Sequence, residues 1–512
     1  MHIPQGLIAA TARRANGQIL LQVPEKLSFD AKSLRAVAHR AMQQNGLLPD
    51  FSIAALREVE NIHAAATASG PLVQDLRGLV WFSIDNDDSR DLDQLTAAEA
   101  RPSDEMRVLV AIADVDAIVK KASAIDAHAS TNTTSVYTAA GIFPMLPEKL
   151  STDLTSLGEG VERLAVVADM VVAGDGTVVT GEIYRARVLN KAKLAYNAVA
   201  AWLDGTGGPP EKLRTVDGLG DNIRLQDKIA KTMRATRQAN GALRLDTLEA
   251  RPVYEGETLV DMSPDIRNRA KDLIEDFMIA ANGLSARYLE KKGLSSLRRV
   301  LKTPERWDRI VQLASRFGYQ LPAIPDAIAL DAFLQSRSTA DPERFSDLSL
   351  SVIKLLGSGE YSVEIPGQPI QGHFALAVRD YTHSTAPNRR FPDLITQRLL
   401  KAAMADGTAP YTNSELRELA IHCTVQENNA KKVERRVQKS AAALLLAHRV
   451  GQRFDGIVTG ASDKGTWVRI SGPTTEGKVV RGFEGLDVGD HIHVQLLHTD
   501  VANGFIDFAK IS

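Results

Sequence analysis

One cysteine in 512 residues, Cys423, leaves no partner for an intramolecular disulfide and rules out a zinc site that needs two thiolates. Cys423 is expected to be a small buried apolar side chain. Long apolar runs are equally scarce. No apolar signal core follows the first charges, and the longest helix-like apolar stretch, Ala441 to Ala447, is far too short to span a bilayer. A cytoplasmic protein without membrane contact is therefore expected. A net charge of only −2 denies the chain a global attraction to any polyanion and argues against a non-specific nucleic-acid coat. A polyanionic partner would need a local basic surface. The candidates are Arg298, Arg299 and Lys302; Arg389, Arg390 and Arg398; and Lys431, Lys432, Arg435, Arg436 and Lys439.

What the chain does have is the composition of a folded protein, 44% hydrophobic and 24% charged, at a length that favours two or three domains. Residues 1 to 76 are expected to form a small, mainly helical module, with helical periodicity over Ala31 to Gln44 and again around Ile53 to Ile62. No aromatic-rich strand series is found there, so a nucleic-acid-binding barrel is not expected at this end. From Gly78 the texture becomes strand-like: Leu79 to Ile84, Val108 to Ala113, Arg163 to Val172 and Gly181 to Val188. Helical spacing returns over Arg267 to Lys291 and over Asn413 to Val450, where Thr412 and Glu415 form a capping-box pattern. The last sixty or so residues, 451 to 512, break into five short alternating segments between glycine turns, the size of an OB-fold barrel. The fold class expected is α+β, with a large domain over residues 77 to 450 and an all-β barrel after it.

Two stretches carry chemistry. Asp85-Asn86-Asp87-Asp88-Ser89-Arg90-Asp91-Leu92-Asp93-Gln94 packs five aspartates into nine positions directly after an apolar strand. Carboxylates so close repel one another, and folding them together is costly unless a multivalent cation neutralises them. A solvated acidic loop is the plain alternative. A calcium loop of the EF-hand type fails, because Arg90 stands where the turn requires glycine and Thr96 where a bidentate glutamate is required. Magnesium suits the pattern, since it takes one or two carboxylates, keeps its waters and completes its shell with substrate phosphate. Metal-assisted phosphodiester hydrolysis follows as the chemistry.

The second stretch, Tyr381 to Arg398, places Arg389 and Arg390 between two prolines and ahead of a helix expected to open at Pro392 or Asp393. Guanidinium forks beside the exposed amides of a helix start suit phosphate. One of the two could equally be a structural ion-pair partner. A phosphoryl-transfer centre needs both cation-binding carboxylates and a fixed positive group.

At these two segments the chain resembles the ribonuclease II/R (RNB) family of exoribonucleases. The likeness continues through Ile112-Ala113-Asp114-Val115, Thr134-Ser135-Val136-Tyr137, Pro144-Met145-Leu146-Pro147-Glu148, Leu150-Ser151 and Glu275-Asp276-Phe277-Met278-Ile279-Ala280-Ala281-Asn282, in collinear order from about Gly78 to Val450. The resemblance implies an α+β catalytic domain with a channel for single-stranded RNA and a C-terminal RNA-binding barrel. It implies a hydrolytic 3′-to-5′ exoribonuclease that releases nucleoside 5′-monophosphates and uses one or two Mg2+ ions, with Mn2+ as a substitute. Asp85, Asp91 and Asp93 match three of the four family aspartates at the metal centre, and Asp93 the one essential for cleavage. Arg389 matches the arginine at the scissile phosphate, with Arg390 beside it in the RNA path. Tyr137 and Tyr196 match the tyrosines that hold the 3′-terminal nucleotides. Glu275 and Glu434 match glutamates near the terminal ribose; a helix salt bridge is an equal reading of Glu434.

The chain also departs from the family. Gln94 stands where the fourth metal aspartate is expected, and its amide oxygen brings no charge. Ala386 and Asn388 replace a serine and an isoleucine, Gln397 replaces a histidine, and the N-terminal module stands in place of paired cold-shock barrels. The alternative function is therefore a catalytically weakened protein that grips RNA 3′ ends on the same fold. A calcium-binding metalloprotein without RNA affinity is the other rival.

Overall fold

The computed structural model describes residues 13–15, 18–20 and 31–511, apart from 247, 248, 257, 370, 463 and 464. The remainder of the expected N-terminal module before residue 31 lies outside the described residues. A short ribbon pairs β1 (Arg13–Ala15) with β2 (Gln18–Leu20). The helix α1 (Ala31–Gln44) occupies the span expected of it, and α2 (Ile53–Glu60) starts at Ser52, whose side chain accepts the Ala55 N–H at 3.1 Å.

The apolar runs that follow build one six-stranded sheet around the main core. Its strands are β3 (Val73–Asp75), β4 (Trp81–Asp85), β5 (Gln94–Ala100) and β6 (Met106–Ala113), then, beyond α3 (Ala124–Asn132) and the ribbon β7 (Val136–Thr138) with β8 (Gly141–Phe143), β9 (Glu162–Val172) and β10 (Val178–Ala195). Their order is β3-β10-β4-β5-β6-β9. β6 is buried at every position except Arg107, as an apolar run without alternation should be. β10 is longer than the run expected from the sequence: it pairs antiparallel with β9 up to Leu189, and parallel with β4 from Asn190 to Ala195 with a register break between Asn190 and Ala192. It therefore touches both β4 and the far-edge strand β9.

Helices cover this sheet: α4 (Tyr196–Leu203), α5 (Leu219–Ala239) and α6 (Arg269–Lys291), the last started by Asn268. α6 approaches β10 closely at Gly181, where a Cβ would stand 2.7 Å from a Leu284 methyl. Between α5 and α6 lies the hairpin β11 (Glu249–Glu255) and β12 (Thr258–Asp265). β13 (Ser296–Val300) pairs with β14 (Glu360–Glu364). The segment between them holds α7 (Trp307–Arg316), α8 (Ala327–Ala340) and α9 (Pro342–Leu356), which share a core of their own around Trp307, Ile310, Phe333 and Val352.

After α10 (Phe391–Met404) comes α11 (Asn413–Leu446), whose start carries the capping box: Thr412 N–H donates to Glu415 at 2.7 Å and Glu415 N–H to Thr412 Oγ at 3.2 Å. α11 takes part in three cores. Leu416, Ala420 and Cys423 belong to the main one, and Ala430, Val433 and Val437 pack with Leu34 and Met42 of α1. Ala442, Ala443 and Leu446 enter the core of the C-terminal barrel. That barrel is closed in the order β15-β16-β17-β19-β18, with strands β15 (Arg453–Ser462), β16 (Gly465–Ile470), β17 (Thr475–Arg481), β18 (His491–Asp500) and β19 (Phe505–Lys510). The five segments read from the sequence are these five strands. Among the described residues no helix is long and apolar enough to cross a membrane.

Candidate active site

The acidic stretch is the connection from β4 to β5. Asp85 ends β4, Gln94 opens β5, and the loop between them is pinned from outside. The Lys193 ammonium donates to the carbonyls of Asp87 and Ser89 at 3.2 and 2.5 Å, and the Ser156 hydroxyl bridges Arg90 O and Leu92 N–H. Parallel pairing sets Asp85 opposite Ala195, the residue before Tyr196, and so brings that tyrosine to the acidic end of the sheet.

The arginine stretch arrives from almost three hundred residues away. It is held by a short bridge to the segment before β7, with Ser135 N–H donating to Arg389 O at 2.9 Å and Phe391 N–H to Thr133 O at 2.8 Å. Pro392 lies in the first turn of α10, where a missing N–H costs nothing. Asp393, fully buried, accepts from Ala386 N–H and from Arg390, both at 2.8 Å. With the loop so fixed, Asn388 N–H donates to one oxygen of Asp93 at 2.8 Å and Arg389 Nε to the other at 3.2 Å. Arg389 keeps its two terminal nitrogens free of protein partners among the described residues, and its side chain is 41% exposed.

Arg389 lines a cavity of about 200 Å³ together with Tyr137, Arg390, Glu427, Lys431 and Glu434. Tyr137 links this cavity to the acidic loop: its hydroxyl donates to Asp91 at 3.0 Å, and its backbone N–H to Glu434 at 2.9 Å. Tyr361 and His383 also line the cavity, with the Tyr361 hydroxyl and His383 Nδ1 2.8 Å apart, and Glu427 is paired with the buried Arg299 at 2.7 Å.

Burial pushes the carboxyls of Asp85 and Asp93 up to about 7, against the pull of Arg389 on both; Asp91 adds to the rise in each case. Burial also raises the phenols of Tyr137 and Tyr196, so both remain neutral rings. Among the described residues, no three His, Cys, Asp or Glu side chains form a closed ligand set. What the cluster offers is Asp91 within electrostatic reach of Asp85 on one side and of Asp93 on the other. Hard, desolvated oxygens supplied two at a time fit magnesium, which keeps waters and demands few protein ligands. They do not fit a calcium cage. Gln94 is buried beside them, with no hydrogen bond from its amide to any of the three among the described residues.

Of the residues singled out in the sequence, the fold brings Asp85, Asp91, Asp93, Gln94, Tyr137, Tyr196, Arg389, Arg390 and Glu434 to this one end of the sheet. Glu275 is not joined to them. It sits exposed on α6, paired with Arg267 at 2.6 Å. Three of the candidate basic residues are corrected outright. Arg298 and Arg299 are buried against Glu364 and Glu427, and Arg398 is buried between Asp116 and Asp126, so none of these offers an open surface. The helper Asp393 was not singled out, although its spacing three residues after Arg390 in a first helical turn is an ion-pair signal. Glu427 and His383 carry no such local signal, since only the tertiary fold brings them to the cavity.

Residues 73–406 match the family model described as RNB domain, and residues 452–511 the one described as RNase II-type exonuclease C-terminal S1 domain. The chain belongs to the RNB family. Among curated relatives, Ribonuclease R 1 of Lactococcus lactis is 29% identical over 416 residues, which is 79% of this chain and 49% of that protein. Ribonuclease R of Escherichia coli is 29% identical over 419 residues, covering 79% of this chain and 51% of that one. The chain thus spans about half the length of these relatives. The structure of Mycoplasma genitalium RNase R in complex with ribose methylated single-stranded RNA shares the fold, with a TM-score of 0.82 at 21% identity over 94% of this chain and 78% of that one. Within the RNB family frame, the α+β large domain and the closed C-terminal barrel are the expected architecture, and the acidic loop and the arginine segment both lie inside the RNB match.

Proposed function

We propose that the chain is a magnesium-dependent hydrolytic exoribonuclease that degrades single-stranded RNA from its 3′ end and releases nucleoside 5′-monophosphates. The observation that carries this reading is the meeting of Asp93 with Asn388 N–H and with Arg389, which itself lines a cavity shared with Tyr137 and Glu434. Family membership and the names of the relatives support the same chemistry. Asp85, Asp91 and Asp93 would hold one or two Mg2+ ions, or Mn2+ in their place, with the Gln94 amide as a weaker neighbour. A bound ion supplies an activated water and positive charge at the phosphate.

The protein's own groups do the rest. Arg389, held by Nε, presents its remaining donors to the non-bridging phosphate oxygens, where charge builds in the transition state. Arg390, fixed by Asp393, adds a second positive group on the same cavity wall. Tyr137 and Tyr196 offer neutral ring faces that accept any base, as an exonuclease requires. Glu434 can accept from a ribose hydroxyl and so favour RNA over DNA. Glu275 would serve the terminal nucleotide only after parting from Arg267. The division into residues 1–76, 77–450 and 451–512 and a cytoplasmic location belong to the same proposal.

Incubating the protein with labelled 3′-extended RNA and Mg2+ tests it: mononucleotides must accumulate, and Asp93→Asn must remove at least about 10²-fold of the rate while RNA binding stays measurable. Undiminished degradation by that variant would take Asp93 out of the mechanism. RNA binding without mononucleotides from the wild type would favour a 3′-end-binding protein weakened at Gln94, and Gln94→Asp would then be expected to restore cleavage.

A further inference from the structure

Gln397 lies in the second turn of α10, 1% exposed, and both ends of its amide are engaged. Its Nε2 donates to Ala113 O at 2.7 Å and its Oε1 accepts the Asp116 N–H at 2.9 Å. These two peptides bracket the point where the chain leaves β6. Ala113 is also the residue whose N–H donates to the backbone oxygen of Asp93 at 2.9 Å. Asp93 is thereby gripped twice from one helix. Its main chain is reached through Ala113 and Gln397, and its carboxylate through Asn388 and Arg389 at the helix entrance. The contacts close a ring: Asp93, Ala113, Gln397, the first turns of α10, Arg389 and back to Asp93.

The neighbouring anchors do not replace that link. Arg398 reaches Asp116 and Asp126, and Lys401 reaches Asp114 and Asp116 at 2.7 Å each; all three carboxylates lie beyond Ala113 in the chain. They fix α10 to the turn after β6 and to α3, whereas Gln397 fixes it to the last residue of β6. We propose that Gln397 is a positioning residue for the nuclease reaction, its amide holding α10 on β6 so that the Arg389 guanidinium stays in place beside Asp93 and the phosphate. This rests on the nuclease reading above. Only a side chain with a donor and an acceptor at once satisfies both peptides: a carboxylate would accept from Asp116 N–H but repel Ala113 O, and an aliphatic group would serve neither. The required precision is high, because misplacing a catalytic group by about 1 Å costs on the order of 10²-fold in rate.

The experiment compares wild type, Gln397→Leu, Gln397→Glu and Gln397→His in the degradation of labelled single-stranded RNA with Mg2+, alongside thermal unfolding and amide hydrogen exchange. Gln397→Leu and Gln397→Glu are expected to lower kcat per folded molecule by about 10- to 100-fold with KM unchanged within about twofold. Gln397→His, whose neutral imidazole has one donor and one acceptor, is expected to recover most of the loss. Amides of residues 111–116, 386 and 388–391 should exchange faster in the Leu and Glu variants. A purely packing role predicts activity that follows the folded fraction and no rescue by histidine, and either result overturns the proposal. Should Gln397→Leu fail to fold, the near-isosteric Gln397→Glu decides. A wild type that leaves RNA intact defeats the nuclease reading instead, and unchanged exchange in the variants then defeats the tether as well.

Discussion

Two pairs of adjacent arginines, Arg298-Arg299 and Arg389-Arg390, look alike in the sequence and serve different ends in the fold. The first pair lies on β13, and each member meets a carboxylate from another element, Glu364 of β14 and Glu427 of α11. Arg298 is 2% exposed and also donates to Ala286 O. Its charge is spent inside the protein. The second pair stands at the entrance of α10, where Asp393 takes up Arg390 but Arg389 bonds Asp93 through Nε alone and stays partly exposed in the lining of a cavity. What separates the pairs is the partner each arginine finds. A charge buried against a partner carboxylate is structural, and one left partly exposed at an opening is available to a ligand.

Substitution across the two pairs should break the symmetry. Arg389→Lys keeps the charge but loses the fork, and should cut RNA degradation by about 10²- to 10³-fold while leaving the unfolding midpoint nearly unchanged. Activity within a few-fold of wild type would deny Arg389 a role at the phosphate. Arg298→Met should do the reverse. Leaving Glu364 buried without its partner should cost about 3–5 kcal/mol in denaturant unfolding, with kcat per folded molecule preserved. An unaltered midpoint would mean that the buried pair holds nothing together.

A buried base without a matching carboxylate supplies the smaller, third test. His128 packs against Phe51 with ring centroids 4.2 Å apart and the planes tilted by 38°, and burial depresses it from 6.5 to about 4, against the opposing pull of Asp50. The unfolded chain therefore takes up the proton first. The stability that neutral His128 provides is complete above pH 6.5 and is lost as the pH falls from there toward 4. Unfolding in urea at pH 7 and pH 5 should differ by roughly 2 kcal/mol on this account, and His128→Asn should remove that part of the difference. A variant as acid-sensitive as the wild type would place the effect elsewhere.

Much of this could be read from the sequence, for reasons that differ by region. α1, α6, α11 and the barrel strands announce themselves through spacing, caps and glycine turns, because each is stabilised by a face or a turn encoded locally. The upper half of β10 does not, since of its inward positions Asn190 is polar and Ala192 small, which leaves Leu194 alone to mark an apolar face. α7 carries Trp307, Ile310 and Ala314 at helical spacing, but nothing local says that it joins α8 and α9 in a separate core. At the site, the acidic loop is a local pattern. Its meeting with Arg389 is set by strand order and by the bridge from Thr133 to Phe391, and no window along the chain contains both. The fates of Arg298, Arg299 and Arg398 were hidden for the same reason: their carboxylates come from distant segments.

The 34-residue span of α11 has one more consequence. At about 1.5 Å per residue it is a rod some 50 Å long, sunk at one end among the residues that support the sheet and at the other in the barrel. Heat or denaturant cannot strip the barrel away and leave the rest intact without tearing apolar side chains off that rod, so the two bodies should melt together as one cooperative unit.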